Sequence, residues 1–278
     1  MSRGGDLVAL RLERVAHVFH PGTASELRAL DGVDLELDRG TLAVVLGTNG
    51  SGKSSLLNAV AGSLGPTGGR IYLDGWDVSD WPEHRRARLI SRVFQNPFTG
   101  TASDLSVAEN LALAAGRSGR RWLRRTLDRE RRDGLRQTVA RLGMGLEDRL
   151  DTPIGLLSGG QRQALTVLMA TMVRPTLLLL DEHTAALDPR SAEQVIRLTQ
   201  QAITAGELTT LMVTHSMAEA VRLGDRVLLM HRGRIAFDLR DVRRRRLTED
   251  DLLQLFDQLR WSDRLDAPAA AMLRRTYI

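Results

Sequence analysis

Residues Thr41–Val60 read TLAVVLGTNGSGKSSLLNAV. Thr41–Leu46 is a continuous apolar run, the pattern of a buried strand. It feeds a glycine-rich turn, and Ser54–Val60 then reads as a helix. Gly47, Gly50, Gly52, Lys53 and Ser54 fit the pattern G-x-x-x-x-G-K-[ST], and strand, glycine loop, helix is the context a phosphate-binding loop requires. The glycines permit unusual φ values and let backbone N–H groups approach phosphates. The following helix N-terminus adds partial positive charge. This reading assigns Lys53 to the β- and γ-phosphates of a nucleotide and the Ser54 hydroxyl to Mg²⁺. Asn49, Ser51 and Ser55 are counted with the loop as nucleotide-binding.

The surrounding composition agrees with an intracellular globular protein. The chain has 278 residues, 42% hydrophobic and 26% charged, enough apolar material for one unit or for two subdomains. Its continuous apolar runs reach four or five residues, such as Leu177–Leu180, whereas a membrane-spanning helix needs about twenty. The start, MSRGGDLVALRLERV, lacks an apolar stretch of signal-peptide length. With no cysteine, disulfides, thiolate metal sites and cysteine nucleophiles are excluded. The net charge is +5, and of the 39 Lys and Arg residues only Lys53 is a lysine. Part of the high isoelectric point therefore reflects arginine's intrinsic basicity; charge alone would allow nucleic-acid binding, but no nucleic-acid partner is expected. A compact ammonium kept only in this loop supports its phosphate role.

Outward from the loop, residues 7–15 (LVALRLERV) and 33–37 (VDLEL) alternate apolar and polar residues as half-buried strands do. Thr176–Leu180, Leu208–Val213 and Arg226–Met230 are further buried-strand candidates, separated by helical patterns at Gly160–Val173 and Pro189–Ala205. That alternation predicts an α/β fold with a mostly parallel sheet covered by helices on both faces. Between 96 and 157 no strong strand appears, while Val107–Ala115 and Leu135–Leu142 read as helices, which predicts an inserted helical subdomain. Within it, residues 117–136 hold nine arginines against Asp128, Glu130 and Asp133. They read as a solvated segment or as a contact for anionic headgroups or a partner. A second basic run, Arg243–Arg246, precedes an amphipathic helix in LTEDDLLQLFDQL. Its face of Leu247, Leu252, Leu255, Phe256 and Leu259 is expected to pack on the chain's own core or on a partner.

Leu177–Leu180 ends in Asp181-Glu182. Ligands gather at the carboxyl ends of parallel strands, so Asp181 is placed to act on Mg²⁺ and Glu182 to polarise an attacking water. Leu157-Ser158-Gly159-Gly160-Gln161 lies 105 residues after Lys53, counted to Ser158, and 23 residues before Asp181. With these motifs in this order, residues 7–237 resemble the ABC (ATP-binding cassette) ATPases. LSGGQ resembles their signature, Gln95 in VFQNP their Q-loop glutamine, Ala186-Leu187-Asp188 their D-loop and His215 in MVTHS their switch histidine. Phe19 in VAHVFHPG resembles the aromatic that stacks on adenine, with His17 and His20 as alternatives. His183 stands where most of these proteins have proline. The segment DEHTAALDP resembles one subgroup encoded beside a permease and a lipoprotein-like binding protein, sometimes assigned to aromatic amino-acid uptake.

The resemblance implies a P-loop NTPase (RecA-like) core with an antiparallel β subdomain and an inserted α-helical subdomain. The implied division is 1–95 for the β subdomain and first part of the core, 96–157 for the helical subdomain, 158–237 for the rest of the core and 238–278 for a helical tail. It further implies an ATPase working as a head-to-tail homodimer, in which Ser158, Gly159, Gly160 and Gln161 of one copy complete the other copy's ATP site, and His215 links the γ-phosphate to Glu182 and Asp188. Ser54, Gln95 and Asp181 would hold Mg²⁺, and Glu182, His215 and Gln95 would serve hydrolysis. The expected setting is the cytoplasmic face of a membrane, on a separate permease and, through it, a substrate-binding protein importing a small solute such as an amino acid. A non-transport ABC ATPase acting on nucleic acid or the ribosome, and a cassette that binds ATP without hydrolysing it, are the competing classes.

Overall fold

The computed structural model describes residues 8–116, 129–240 and 246–259. Most of the arginine-rich stretch that opens at 117, and nearly all of the run Arg243–Arg246, lie outside the described residues. Long strands β1 (Val8–Phe19) and β2 (Leu27–Asp38) pair antiparallel. With β4 (Gly68–Leu73) and β5 (Trp76–Asp77) they form a four-stranded sheet in the order β2-β1-β4-β5. The second sheet has six strands. It combines β3 (Leu42–Gly47), β6 (Ile90–Val93), β7 (Leu177–Asp181), β8 (Thr210–Val213), β9 (Arg226–His231) and β10 (Arg234–Leu239) in the order β10-β9-β3-β8-β7-β6. All of its pairings are parallel except that of β10 with β9.

The period-two alternation of a strand sends successive side chains to opposite faces, and here both faces are covered. Ala43, Val45, Leu177, Leu179, Leu211 and Val213 join Leu10, Val33 and Leu35 of the antiparallel sheet and Leu56, Leu57 and Val60 of α1 (Lys53–Ala61) in one core. Leu42, Val44, Leu46, Leu178, Leu180 and Met212 join the other core. That second core takes residues from α3 (Val107–Gly116), α4 (Arg129–Ala140), α5 (Gly159–Met172) and α6 (Pro189–Gly206). Burial on both faces explains why these strands read as apolar runs. Each fully buried Leu or Val contributes about 1.5–3 kcal/mol.

The amphipathic tail forms a helix over 249–259, here α8. Leu252 is fully buried in the second core, and Leu247, Leu255 and Phe256 pack against it. The tail face therefore covers the chain's own core. Among the described residues no helix is long and apolar enough to cross a membrane.

The strands β4, β5, β6 and β10 and the short helices α2 (Glu83–Arg86) and α7 (Met217–Leu223) carry weak patterns in the sequence. β4 opens on Gly68-Gly69. Gly69 has φ +78, and a Cβ there would strike the carbonyls of Glu13 and Arg14, where β1 kinks with Arg14 at φ +46. Glycine lets β4 cross that kink. β6 holds Ser91 and Arg92 inside a covered strand, which tertiary partners make possible.

Candidate nucleotide site

Strand register assembles the site. Val45 of β3 and Asp181 of β7 both lie opposite Val213 of β8, and Leu180 lies opposite Val93 of β6. Two residues past these positions, at the carboxyl ends of neighbouring parallel strands, come Gly47, His215 and Gln95, with Asp181 and Glu182 between them. One sheet edge thus collects the phosphate-binding loop, a histidine, two carboxylates and a glutamine.

The loop is built around absent side chains. A Cβ on Gly47 would lie 2.5 Å from Met230 O and from Ser51 Oγ. Gly52 has φ +103, and a Cβ there would lie 2.5 Å from Ala29 O. Gly52 is also the N-cap of α1 and brings no side chain to it, so that helix starts without a side-chain cap. Lys53 is only 6% exposed. Its Nζ donates to Gly47 O at 2.8 Å and Thr48 O at 3.0 Å. Burial lowers its pKa, and the charges of Glu182 and Asp181 oppose that shift. Ser51 Oγ is buried and has no hydrogen-bond partner among the described residues. An uncapped helix start, a buried cation held by carbonyls and an orphaned hydroxyl around one loop fit a phosphate chain.

Phe19, Asn49, Gly50, Gly52, Lys53, Ser54, Ser55, Glu182 and His215 line a cleft of ≈ 280 Å³, together with Leu27 and Ala29. Of the three aromatic candidates, Phe19 lines the cleft. The His17 ring packs edge-on against it at 4.6 Å, with Nδ1 2.7 Å from Gly65 O. Glu182 has φ +45, a left-handed backbone rarely adopted outside glycine and associated with functional turns. Its N–H still donates to Val213 O at 2.9 Å. The turn brings Glu182 Oε1 to 2.6 Å from His215 Nε2. Asp181 is held by Arg92, whose Nη2 lies 2.7 Å from Oδ2. Gln95 is exposed.

Ser158, Gly159, Gly160, Gln161 and Asp188 are not among the residues lining this cleft. They form a second cluster at the starts of α5 and α6. Ser158 Oγ accepts from Gln161 N, and Gln161 Oε1 accepts from Ser158 N, a complete capping box. Gln161 Nε2 donates to Met144 O at 3.2 Å. Asp188 caps α6 by accepting from Ser191 N at 3.0 Å, and that side chain's hydrogen bonds with Ser191 lower its pKa. A Cβ on Gly160 would lie 2.7 Å from Ser191 Oγ, so the two helix starts are in close contact.

The model of the family described as "ABC transporter" matches residues 30–185. The chain belongs to the ABC transporter family. The tyrosine transport ATP-binding protein of Clostridioides difficile is 37% identical over 227 residues, 82% of this chain and 90% of that protein. The lipoprotein-releasing system ATP-binding protein LolD 1 of Caulobacter vibrioides is 38% identical over 231 residues, 82% of this chain and 94% of that protein. Among solved structures, a dimeric bacterial ABC transporter cassette superposes with TM-score 0.70 at 25% identity, covering 83% of this chain and 98% of that one. The mixed α/β P-loop fold is that of these cassettes, and the chain is an ATP-binding subunit of the ATPase type.

Three further residues join the ABC motifs in space. Arg92 reaches Asp181. Glu219 accepts from Thr214 Oγ1 at 2.7 Å and from Thr184 Oγ1 at 3.4 Å, linking the turn after Glu182 to the loop that carries His215. Arg162, 1% exposed, donates to Ile154 O at 3.0 Å and Gly155 O at 2.9 Å, and its guanidinium stacks 3.8 Å from the Phe98 ring centroid. An arginine inside the covered strand ISRV is a readable anomaly. Glu219 and Arg162 carry no signal of their own in a single sequence. His183 is buried, lies 3.2 Å from Thr199 Oγ1 through Nε2, and burial lowers its pKa to about 4.

Proposed function

We propose that this chain binds and hydrolyses ATP as a homodimer and powers a membrane importer of a small solute such as an amino acid. The observation that carries the reading is the division of the motifs. Lys53, Glu182 and His215 share one cleft, while the Ser158 cluster lies outside it, so a second copy is needed to bring a signature to the phosphates. A hydroxyl that accepts from Gln161 N keeps its own hydrogen to donate, and Ser158 is exposed to do so across the interface.

In each cleft Phe19 stacks on the base, and the loop N–H groups with Lys53 hold the phosphates. Ser54, Asp181 and Gln95 would hold Mg²⁺, which supplies charge neutralisation for phosphoryl transfer. Glu182 orients the water through its carboxylate, and His215, 2.6 Å away, fixes that carboxylate and reaches toward the γ-phosphate. Asp188, which caps α6, is linked to the γ-phosphate through His215. Closing two copies around the nucleotide and releasing them after hydrolysis makes the dimer a two-state element biased by the nucleotide.

A second cleft of ≈ 250 Å³, lined by Arg92, Gly100, Asn110, Leu113, Thr166 and Met169 among others, opens beside β6, which ends two residues before Gln95. It carries an exposed large hydrophobic residue, Leu113, in its lining. It is the surface we assign to the permease, which sets the chain on the cytoplasmic membrane face, with a substrate-binding protein beyond the permease. The tyrosine-transport relative supports an amino acid as cargo.

Glu182→Gln tests the reading. The variant is expected to bind ATP while kcat falls about 100- to 1,000-fold, measured by phosphate release alongside calorimetric ATP binding. Wild-type turnover would remove Glu182 from catalysis.

A further inference from the structure

Arg92 is a cation inside a covered parallel strand. Its side chain is 13% exposed and that of Asp181 15%. Nη2 donates to Asp181 Oδ2 at 2.7 Å, Nη1 donates to Asn58 Oδ1 at 2.8 Å, and the guanidinium carbon lies 4.7 Å from the Phe94 ring centroid. One side chain therefore ties the end of β7 to the helix behind the phosphate-binding loop and to the residue preceding Gln95.

We propose that Arg92 is a positioning residue for Asp181 that also makes divalent-cation binding conditional on nucleotide. The inference rests on the nucleotide-site reading above. Arginine stays charged throughout the physiological range. Hydrogen-bonded to a half-buried carboxylate, it orients Asp181 and cancels much of the field that attracts a metal. Among the described residues no group of three or more histidine or acidic side chains is gathered to hold a metal ion. A cation at Asp181 must then take phosphate oxygens to complete its shell, and the guanidinium raises that requirement. Without Arg92, Asp181 would lose its guanidinium partner and, beside Glu182, attract a divalent ion more strongly with or without nucleotide. A merely structural ion pair predicts a different outcome: loss of thermal stability with no tightening of metal binding.

The test is Mn²⁺ titration of the full chain, followed by electron paramagnetic resonance, with a non-hydrolysable ATP analogue and without nucleotide. Arg92→Met and Arg92→Gln are expected to bind Mn²⁺ about three- to tenfold tighter with the analogue and to show binding without it. Arg92→Lys keeps the charge but not the planar fork, so it is expected to tighten Mn²⁺ binding less than the Met and Gln variants do. In an Asp181→Asn background, Arg92→Met is expected to change nothing. If the Met variant does not fold, the Gln variant decides. Unchanged or weaker Mn²⁺ binding in the folded Met or Gln variant overturns the proposal, as does a gain that persists with Asp181→Asn. A wild-type chain that takes up no Mn²⁺ with the analogue overturns the nucleotide-site reading itself.

Discussion

Two glycine-rich turns open two helices in this chain, and they are finished differently. α1 starts on Gly52, at φ +103, with no side-chain cap. α5 starts on Ser158 inside a capping box closed by Gln161. A bare helix start leaves backbone donors that need an acceptor from elsewhere, and the buried Lys53 and orphaned Ser51 hydroxyl beside it ask for the same thing. The capped start is satisfied within its own chain. Its glycines differ as well. Gly160 is required by Ser191, whereas a Cβ on Gly159 would make only an ordinary 3.5 Å contact with Leu187. One turn leaves its donors for an acceptor from elsewhere, and the other is satisfied within its own chain and leaves a smooth backbone at the surface.

The comparison breaks most directly at Lys53. Lys53→Ala removes the buried cation and is expected to weaken ATP binding about 100-fold or more, the scale of losing charge-assisted hydrogen bonds. Calorimetry on the purified variant, with a thermal melt to verify folding, measures it. Unchanged affinity would mean that the uncapped start of α1 is not the anion receptor.

The core of this difference was legible in the residues. The run TLAVVL followed by GTNGSGK located β3, the loop and α1, and the apolar run ending in Asp181-Glu182 located β7, because strands covered on both faces leave unbroken apolar stretches. Leu252 and Phe256 marked the packed face of the tail helix by the same logic. β6 was hidden, since Ser91 and Arg92 interrupt its apolar pattern, and Arg92 is explained by Asp181 and Asn58, which are distant in sequence. β4 was hidden by glycines whose purpose is a kink in β1. The turn at Glu182, with its left-handed backbone, follows from tertiary register and has no sequence mark. The Ser158 capping box was readable as a spacing, S-x-x-Q, yet its closure in the single chain was visible only in space.

A pH titration separates the two regions next. His183 lies between Glu182 and the start of α6, and α6 is the helix against which the signature packs. Burial holds its folded pKa at about 4, below the ordinary value of 6.5. The unfolded chain therefore takes up the proton first as pH falls, so the contribution of neutral His183 is fully present above about pH 6.5 and is lost progressively toward pH 4. By pH 5 the loss amounts to about 2 kcal/mol. Denaturant melts of wild type and His183→Gln between pH 7.5 and 5 are expected to converge as pH falls, since the variant has no imidazole to protonate. Parallel curves would show that His183 is not held neutral by its surroundings.

The smallest effect is the sharpest test of the division. Ser158→Ala removes the acceptor for Gln161 N and is expected to lower stability by about 1 kcal/mol, the usual cost of a lost serine cap. Ser158 does not line the cleft with Lys53, so a dilute, monomeric sample should bind ATP with wild-type affinity. Turnover at concentrations that support dimerisation should fall, because the alanine offers no hydroxyl hydrogen to the opposing phosphate. Calorimetry at low protein concentration and phosphate release at high concentration give the two numbers. Loss of monomer ATP affinity comparable to that of Lys53→Ala would place the capped turn in its own chain's site and erase the distinction. Full turnover with a lowered melting temperature would leave Ser158 as a helix cap and nothing more.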